Sequence, residues 1–334
     1  MNTPSILIGM PLFEGWDVVA ETLESIRRQD YSNYRVLISV DGPDERSQAA
    51  CDSFLTDPRF HLVTQPRHIG WEANTTWLAE NLVEDFFCYW QHDDVCEPAY
   101  LQKLIAHAIL HPEASAVYCD MQHFGEKSSV LTYPSVTGFA LNRVMTQISQ
   151  NSPVPIRCLI RADAMRAALP IVQTGQWAVA LAAAGELHRV PEILYRRRIT
   201  SNSLSVRMRS GGVAQSRAGT LEWGVSVFRA GLAAIPHEDA PRLLLFVVDQ
   251  LINHRPRRKF HYDAMAEGSE EVMRFVLEFL HEIRDRCEVV AFPELLRQAN
   301  RQTLLRQRLD EYSDTSAEAL VIRAMLSDSS YFQF

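Results

Sequence analysis

The sequence holds six cysteines but no Cys-x-x-Cys pair. Cys51, Cys88, Cys96, Cys119, Cys158 and Cys287 show no zinc-ligand spacing, and three of them lie in apolar, strand-like runs. They read as small buried hydrophobes of a reducing compartment, not as a disulfide framework. No GxGxxG follows the first strand-like run, where the turn reads "GMPLFEG", which argues against a dinucleotide-dependent dehydrogenase. No GxxxxGK[ST] occurs either, which argues against a P-loop NTPase. Apolar runs fall short of the ~20 residues that span a bilayer. The opening "MNTPSILIGMPLFEGWD" lacks the basic flank and long apolar core of a secretory signal, so a cytoplasmic protein is expected. Positive charge is scarce: 33 Lys and Arg against 41 Asp and Glu give a net charge of -8. That balance leaves no electrostatic footprint for nucleic acid. Internal repeats and low-complexity linkers are also missing.

What is present is ordinary in bulk, with 47% hydrophobic and 22% charged residues in 334. The first 125 residues alternate between two patterns. Strand-like runs at Ser5 to Gly9, "YRVLISVDG", "FHLVTQP", Phe86 to Trp90 and "ASAVYCD" are separated by helical stretches. Those stretches are Trp16 to Arg28, Ser47 to Leu55, Glu72 to Leu82 and Pro98 to His111. Strand and helix in turn, with short loops, predict a mostly parallel sheet covered on both faces. From Tyr133 to about Ser205 the pattern is mixed: "PIRCLIRADAMRAAL" reads as strand then helix, and "WAVALAAAGELHRVPEILYRRR" as helix then a short strand. Beyond Gly211-Gly212 the chain turns helical, with Glu271 to Arg286, Pro293 to Leu309 and Ala317 to Leu326 as amphipathic stretches. Two domains are expected, 1–208 and 209–334. The helical tail offers a surface for self-association. The basic cluster His254 to Lys259 reads as a solvated loop, with peripheral contact to an anionic lipid surface as the sharper alternative.

The chemistry lies at the strand ends. Each early strand finishes in a polar or turn element: Pro11-Leu12-Phe13-Glu14, Asp41-Gly42, Arg67 to Asn74, and Gln91-His92-Asp93-Asp94. Singly, Asp41 reads as a turn residue, Asn74 as a helix cap, and Asp93-Asp94 as caps of the next helix. Together they form one rim at the carboxyl ends of the strands, where open α/β sheets bind ligands. Two adjacent carboxylates there suit a divalent cation.

These segments resemble glycosyltransferase family 2. The stretch "IGMPLFEGWDVVAETLESIRRQDYSNYRVLISVDGPDERS" is similar to that family's opening, "QPRHIGWEANTTWLAE" to its Asn-x-Gly segment, and "YWQHDD" to its Asp-x-Asp-Asp metal motif. "PIRCLIR", "AAAGELHRVPEILYRRR" and "TSNSLS" resemble its acceptor-side half. The resemblance runs from Ile6 to Ser205. It implies an α/β, GT-A-like, mostly parallel sheet with helices on both faces, followed by a helical C-terminal region outside the family pattern. It implies an inverting transfer of a sugar from a nucleotide-diphospho-sugar, a UDP-sugar being favoured, to a glycan, lipid-linked or other hydroxyl acceptor. A divalent metal, Mn²⁺ or Mg²⁺, would neutralise the leaving diphosphate.

Residue by residue, the resemblance places the metal at Asp93, with Asp94 as second ligand or orienting group, and base recognition at Asp41. Pro11, Leu12, Phe13 and Glu14 would line the base and ribose, with Asn74, Gln91 and His92 also near the nucleotide. Arg196, Arg197 and Arg198 would clamp the diphosphate, Arg197 foremost. Three positions depart from the family pattern. Gln91 stands for the first Asp of the metal motif. Thr200 stands for a His near the end of the domain. Thr174, eleven before Gly185, stands where the general base is an Asp. Glu186, Glu192 and Asp163 are the substitutes weighed for that base. The competing reading is a GT-A relative of weak or no activity that binds nucleotide-sugar or serves as a scaffold. A nucleotidyltransferase is a distant third.

Overall fold

The computed structural model describes residues 3–150, 152, 157–200, 216–253, 264–287 and 316–327. Two compact units divide the chain: residues 1–143 with 151–207, and residues 144–150 with 208–334. The basic cluster His254 to Lys259, the stretch Pro293 to Leu309 and the segment 201–215 lie outside the described residues.

The first unit is built on a nine-stranded sheet. β1 (Ile6–Leu12), β2 (Tyr34–Val40), β3 (Phe60–Thr64) and β4 (Phe86–Tyr89) are its parallel half. β5 (Val95–Cys96), β6 (Ala114–Gly125), β7 (Ser129–Leu131), β8 (Leu159–Arg161) and β9 (Glu186–Ile199) complete it. The spatial order is β3-β2-β1-β4-β8-β6-β9-β5, with β7 beside β6. β6 and β9 run with the first four strands, while β5, β7 and β8 run against them, so most strands share one direction. β1, β2 and β4 are buried almost end to end, as a strand covered on both faces must be.

The helices of this unit are α1 (Val19–Arg27), α2 (Glu45–Cys51), α3 (Trp71–Glu80), α4 (Tyr100–Leu110), α5 (Ala140–Gln150), α6 (Ala162–Ala167) and α7 (Thr174–Ala184), with the end of α5 grouping with the second unit. From β1 the chain winds outward through β2 to β3, then returns to place β4 on the other side of β1. That reversal puts helices on both faces and opens a crevice between the carboxyl ends of β1 and β4. Gln29, at the end of α1, joins the layers. Its amide donates to Glu97 O at 2.9 Å and accepts from Leu101 N at 3.0 Å, satisfying an orphan donor in the first turn of α4.

Two elements differ from the sequence expectation. The short strand after α7 is a fourteen-residue strand, β9, despite Pro191 in its middle. Pairing with β6 steps from Cys119↔Val190 to Asp120↔Ile193, so Pro191 and Glu192 stand in a bulge where no ladder donor is needed. The second concerns Asp93 and Asp94, which lead into β5 and not into a helix. The next helix, α4, starts at Tyr100 with no side-chain cap.

The second unit contains α8 (Arg217–Leu232), α9 (Ala240–Asn253), α10 (Ala264–Glu267), α11 (Ser269–Arg286) and α12 (Ala317–Ser327). Phe228, Leu243, Val247, Phe275, Phe279, Leu280 and Ile283 form its core, on stripes of helical spacing. Glycines allow close helix contact: an added Cβ on Gly224 would meet Leu251 and Phe279 at 3.0 Å. No described helix is long and apolar enough to cross a membrane.

Gly185 ends α7 where the chain turns into β9. An added Cβ there would lie 2.8 Å from Glu113 O and 2.9 Å from both Ser115 N and Ser115 Cβ. Two of these three atoms are backbone and cannot swing aside. Gly185→Ala should therefore lower the unfolding free energy by ~1–3 kcal/mol, the usual cost of overpacking. Urea titrations of the two proteins measure it, and superimposable curves would contradict this account of the α7–β9 corner.

Candidate active site

The rim forms because β4 ends in Trp90, a buried indole whose Nε1 donates to Asp94 O at 3.2 Å. This bond, with Asp94 N donating to Gln91 O at 3.3 Å, folds Gln91 to Asp94 into a tight turn. His92 fixes the turn to β1: its Nδ1 donates to Pro11 O at 3.2 Å, and Thr22 Oγ1 donates to His92 O at 2.8 Å. His92 is thus a brace across the β1–β4 crevice. Gly15 makes room for it, since a Cβ there would lie 2.4 Å from His92 Cδ2.

The two carboxylates differ sharply. Asp94 has no exposed surface. Its Oδ2 accepts from Tyr195 Oη at 2.7 Å and from Arg157 Nε at 3.4 Å, and its Oδ1 accepts from Arg198 N at 2.9 Å. Burial, and after it the neighbouring Asp93 charge, push the Asp94 carboxyl up to about 6, against the pull of Arg157, Tyr195 and Arg198. Asp93 is half-buried, and its carboxylate takes no hydrogen bond from any described residue. The sequence reading gives Asp93 as the metal-binding position and Asp94 as second ligand or orienting group. The structure gives Asp94 a full set of protein partners, the arrangement of an orienting group, and leaves the Asp93 carboxylate open.

Positive charge gathers around them. Arg157, buried just before β8, donates from Nη2 to Gln91 Oε1 at 2.7 Å as well as to Asp94. Gln91 thus serves as an acceptor for Arg157. Burial first, and the Arg157 charge second, lower the Arg197 pKa, while Asp94 opposes the shift. Arg198 donates from Nε to Asp93 O at 3.1 Å and forms an ion pair with Glu21. Arg196, Arg197 and Arg198 do not stand on an edge strand, because β9 has β6 on one side and β5 on the other. Counting Glu21, three guanidiniums face three carboxylates here, with Arg198 paired to Glu21 and Arg157 and Arg197 on the side of Asp93 and Asp94; guanidinium groups suit a diphosphate.

On the β1–β2 side, Pro11 and Leu12 are buried strand residues, while Phe13 is 45% exposed and Glu14 takes a positive φ of 48°. Phe13 pairs with His68 at 4.7 Å between ring centroids. Asp41 accepts from Ile69 N at 2.7 Å and Gly70 N at 3.1 Å, and lies 3.0 Å from His68 Nδ1. A carboxylate has about four acceptor positions, so one remains for a ligand N–H. Asn74 is turned inward: its Nδ2 donates to Ser39 O at 3.0 Å and its Oδ1 accepts from Ser39 Oγ. It clamps α3 to β2 and does not reach the rim with a free polar atom.

Thr174 is exposed and is the first residue of α7. Three residues on, Trp177 packs edge-on against Tyr89 at 5.4 Å and beside Trp71 at 6.4 Å, tying the start of α7 to the end of β4. The substitute acids lie elsewhere. Glu186 accepts from Gly138 N and His188, Glu192 pairs with Lys103, and Asp163 accepts from Ala164 N. Glu186 and Asp163 stand at the amino-terminal edge of β4, the side away from the rim. Sequence reasoning missed Arg157, Tyr195 and His68. Arg157 lies within "PIRCLIR", where its isolated charge in an apolar run was the available signal.

Comparison with known proteins bears on the family and the fold. Residues 7–166 match the family model described as Glycosyl transferase family 2. S. aureus TarS residues 1–349, solved in complex with UDP-GlcNAc, superimposes with a TM-score of 0.62 at 12% identity, covering 98% of this chain and 91% of that one. The same protein with UDP gives 0.61 at 11%, covering 99% and 92%. The mannosyltransferase PcManGT from Pyrobaculum calidifontis, in complex with GDP-Man and Mn²⁺, gives 0.51 at 13%, covering 98% and 87%. These likenesses establish a GT-A glycosyltransferase fold. No curated protein is a significant sequence match.

The unequal carboxylates make a test. Asp94→Asn turns an amide donor toward groups that already donate, whereas Asp93→Ala removes an unbonded side chain. Asp94→Asn should cost on the order of 3 kcal/mol of stability, as breaking a buried charge pair does. Asp93→Ala should stay within about 1 kcal/mol of wild type. Denaturant titration of both variants compares them, and equal losses would contradict the assignment.

Proposed function

Because residues 7–166 match the glycosyl transferase family 2 model, we propose that this chain transfers a sugar from a nucleotide-diphospho-sugar to an acceptor hydroxyl with inversion. The observation that carries the reading is the open Asp93 carboxylate beside Arg157 and Arg197, at the crevice where the sheet reverses direction. The donor set fits a hard divalent cation, Mn²⁺ or Mg²⁺, which such sites hold through one or two carboxylates completed by substrate phosphates. Asp93 would hold it, and the ion would supply charge neutralisation to the departing diphosphate. Asp94 keeps the turn in place. Arg157 and Arg197 provide fixed positive charge for the same oxygens, and Phe13 with His68 offers a surface on which a base can stack. Asp41 orients the loop 67–70 and keeps one acceptor position for the base. UDP is the favoured nucleotide, consistent with the UDP and UDP-GlcNAc bound by TarS. A cytoplasmic setting belongs to this reading, since all six cysteines are free thiols. A glycan or lipid-linked hydroxyl is the proposed acceptor class.

Calorimetry with UDP tests the donor half. Mn²⁺ should tighten UDP binding to wild type, and Asp93→Ala should abolish that increment while leaving metal-free binding in place. Equal Mn²⁺-dependent affinities in the two proteins would move the metal away from Asp93.

One observation favours a slow or inactive relative. The acceptor must lose a proton as it attacks, and general bases contribute 10²- to 10⁴-fold. Thr174 is no base near neutral pH, and Glu186, Glu192 and Asp163 are bonded away from the rim. Slow transfer or donor hydrolysis is therefore expected, with Thr174→Asp raising UDP release. Wild-type turnover at ordinary rates, ~1–10³ per second, would show that another group serves as base.

A further inference from the structure

At the opposite edge of the sheet, three imidazoles converge outside the nucleotide rim. His107 and His111 lie one turn apart at the end of α4, and His188 projects from β9. One ligand nitrogen from each ring lies within 4.8 Å of the others. His107 Nε2 is 3.1 Å from His188 Nδ1, and the His107 and His111 rings stack at 4.4 Å. Two carboxylates back the rings: Glu186 Oε2 accepts from His188 Nε2 at 2.8 Å, and Glu113 Oε1 accepts from His111 Nδ1 at 3.0 Å.

We propose that His107, His111 and His188 form a second metal site, for a single Zn²⁺-class transition cation, independent of the donor site.

The proton bookkeeping supports it. With its Nε2 proton held by Glu186, neutral His188 presents a lone pair at Nδ1. With its Nδ1 proton held by Glu113, neutral His111 presents one at Nε2. Only His107 must change: it now donates from Nε2 to His188, and on coordination that proton moves to Nδ1 or to water. Carboxylates fixing the far nitrogen of a ligating histidine are the usual outer support of such sites. The histidines are not needed as caps of α4, because Arg161 already donates to Ala108 O and His111 O. Imidazole nitrogens select zinc, nickel or copper over Mg²⁺ and Mn²⁺. The half-exposed His111 and the exposed Glu113 leave a path for the ion.

The experiment is Zn²⁺ titration of the chelator-treated full chain by calorimetry, with millimolar Mg²⁺ present to occupy the donor site. Co²⁺ absorption spectra report the ligand field in parallel. One saturable equivalent of Zn²⁺ is expected, weakened at least ~10-fold in His111→Gln and in His188→Gln and unchanged in Asp93→Ala. His111 is accessible enough that its variant should fold even if His188→Gln does not. The proposal is overturned by absence of saturable Zn²⁺ uptake in wild type, by uptake unaffected in His111→Gln, or by loss of uptake in Asp93→Ala.

Discussion

A single buried carboxylate organises the functional half of the molecule. Asp94 ends the turn after β4, yet its bonds go to Tyr195 and Arg198 of β9 and to Arg157 at the entrance to β8. An ionised group without exposed surface is tolerated only when it is paired and hydrogen-bonded. Supplying those partners obliges β9 to run past the end of β4 and forces Arg157 inward. The folded-state pKa, raised to about 6, carries a cost with a definite sign. The native state holds more proton than the unfolded chain between the ordinary carboxylate range and about pH 6. This group therefore makes the fold less stable as pH rises through that window. The cost is compensated by the position it gives Asp93. With its neighbour saturated, Asp93 keeps an open carboxylate, which on the function proposed above would meet the cation and the diphosphate.

How much of this was legible follows from what each residue's neighbours in sequence reveal. The parallel half of the sheet was readable because β1, β2 and β4 are apolar runs closed by turn residues. The rim was readable because four polar strand ends point the same way. The division of labour between Asp93 and Asp94 was not, since adjacent residues of one type differ only by partners about a hundred positions downstream. Asn74 read as a cap or nucleotide contact for the same reason: its partner Ser39 belongs to another strand. β9 looked short because Pro191 signals a break, and only the pairing with β6 reveals the bulge that accommodates it. β5 is two residues long and exists only through β9.

The sheet also separates two chemistries. At the carboxyl ends of the parallel strands stand carboxylates and guanidiniums, hard groups suited to phosphate oxygens and a hard cation. At the amino-terminal edge of β6 and β9 stand imidazoles, suited to a softer ion. The strands that carry Tyr195 and Arg198 to the first place also carry His188 to the second, so β9 links the two edges mechanically. A cation bound at the histidines would pin the end of α4 to the start of β9, and α4 is followed directly by β6.

The remaining question is what deprotonates an acceptor. Trp177 packs against Tyr89, so the first turn of α7 is held beside the end of β4, and Thr174 stands in the place the family resemblance gives to the base. On the function proposed above, the site would be built on the donor side and unequipped on the acceptor side. A helix amino terminus favours negative charge, so an Asp at Thr174 would meet a favourable dipole and an exposed position. Its absence is not explained by any steric or electrostatic obstacle among the described residues. The scaffold can carry a carboxylate there and carries a hydroxyl.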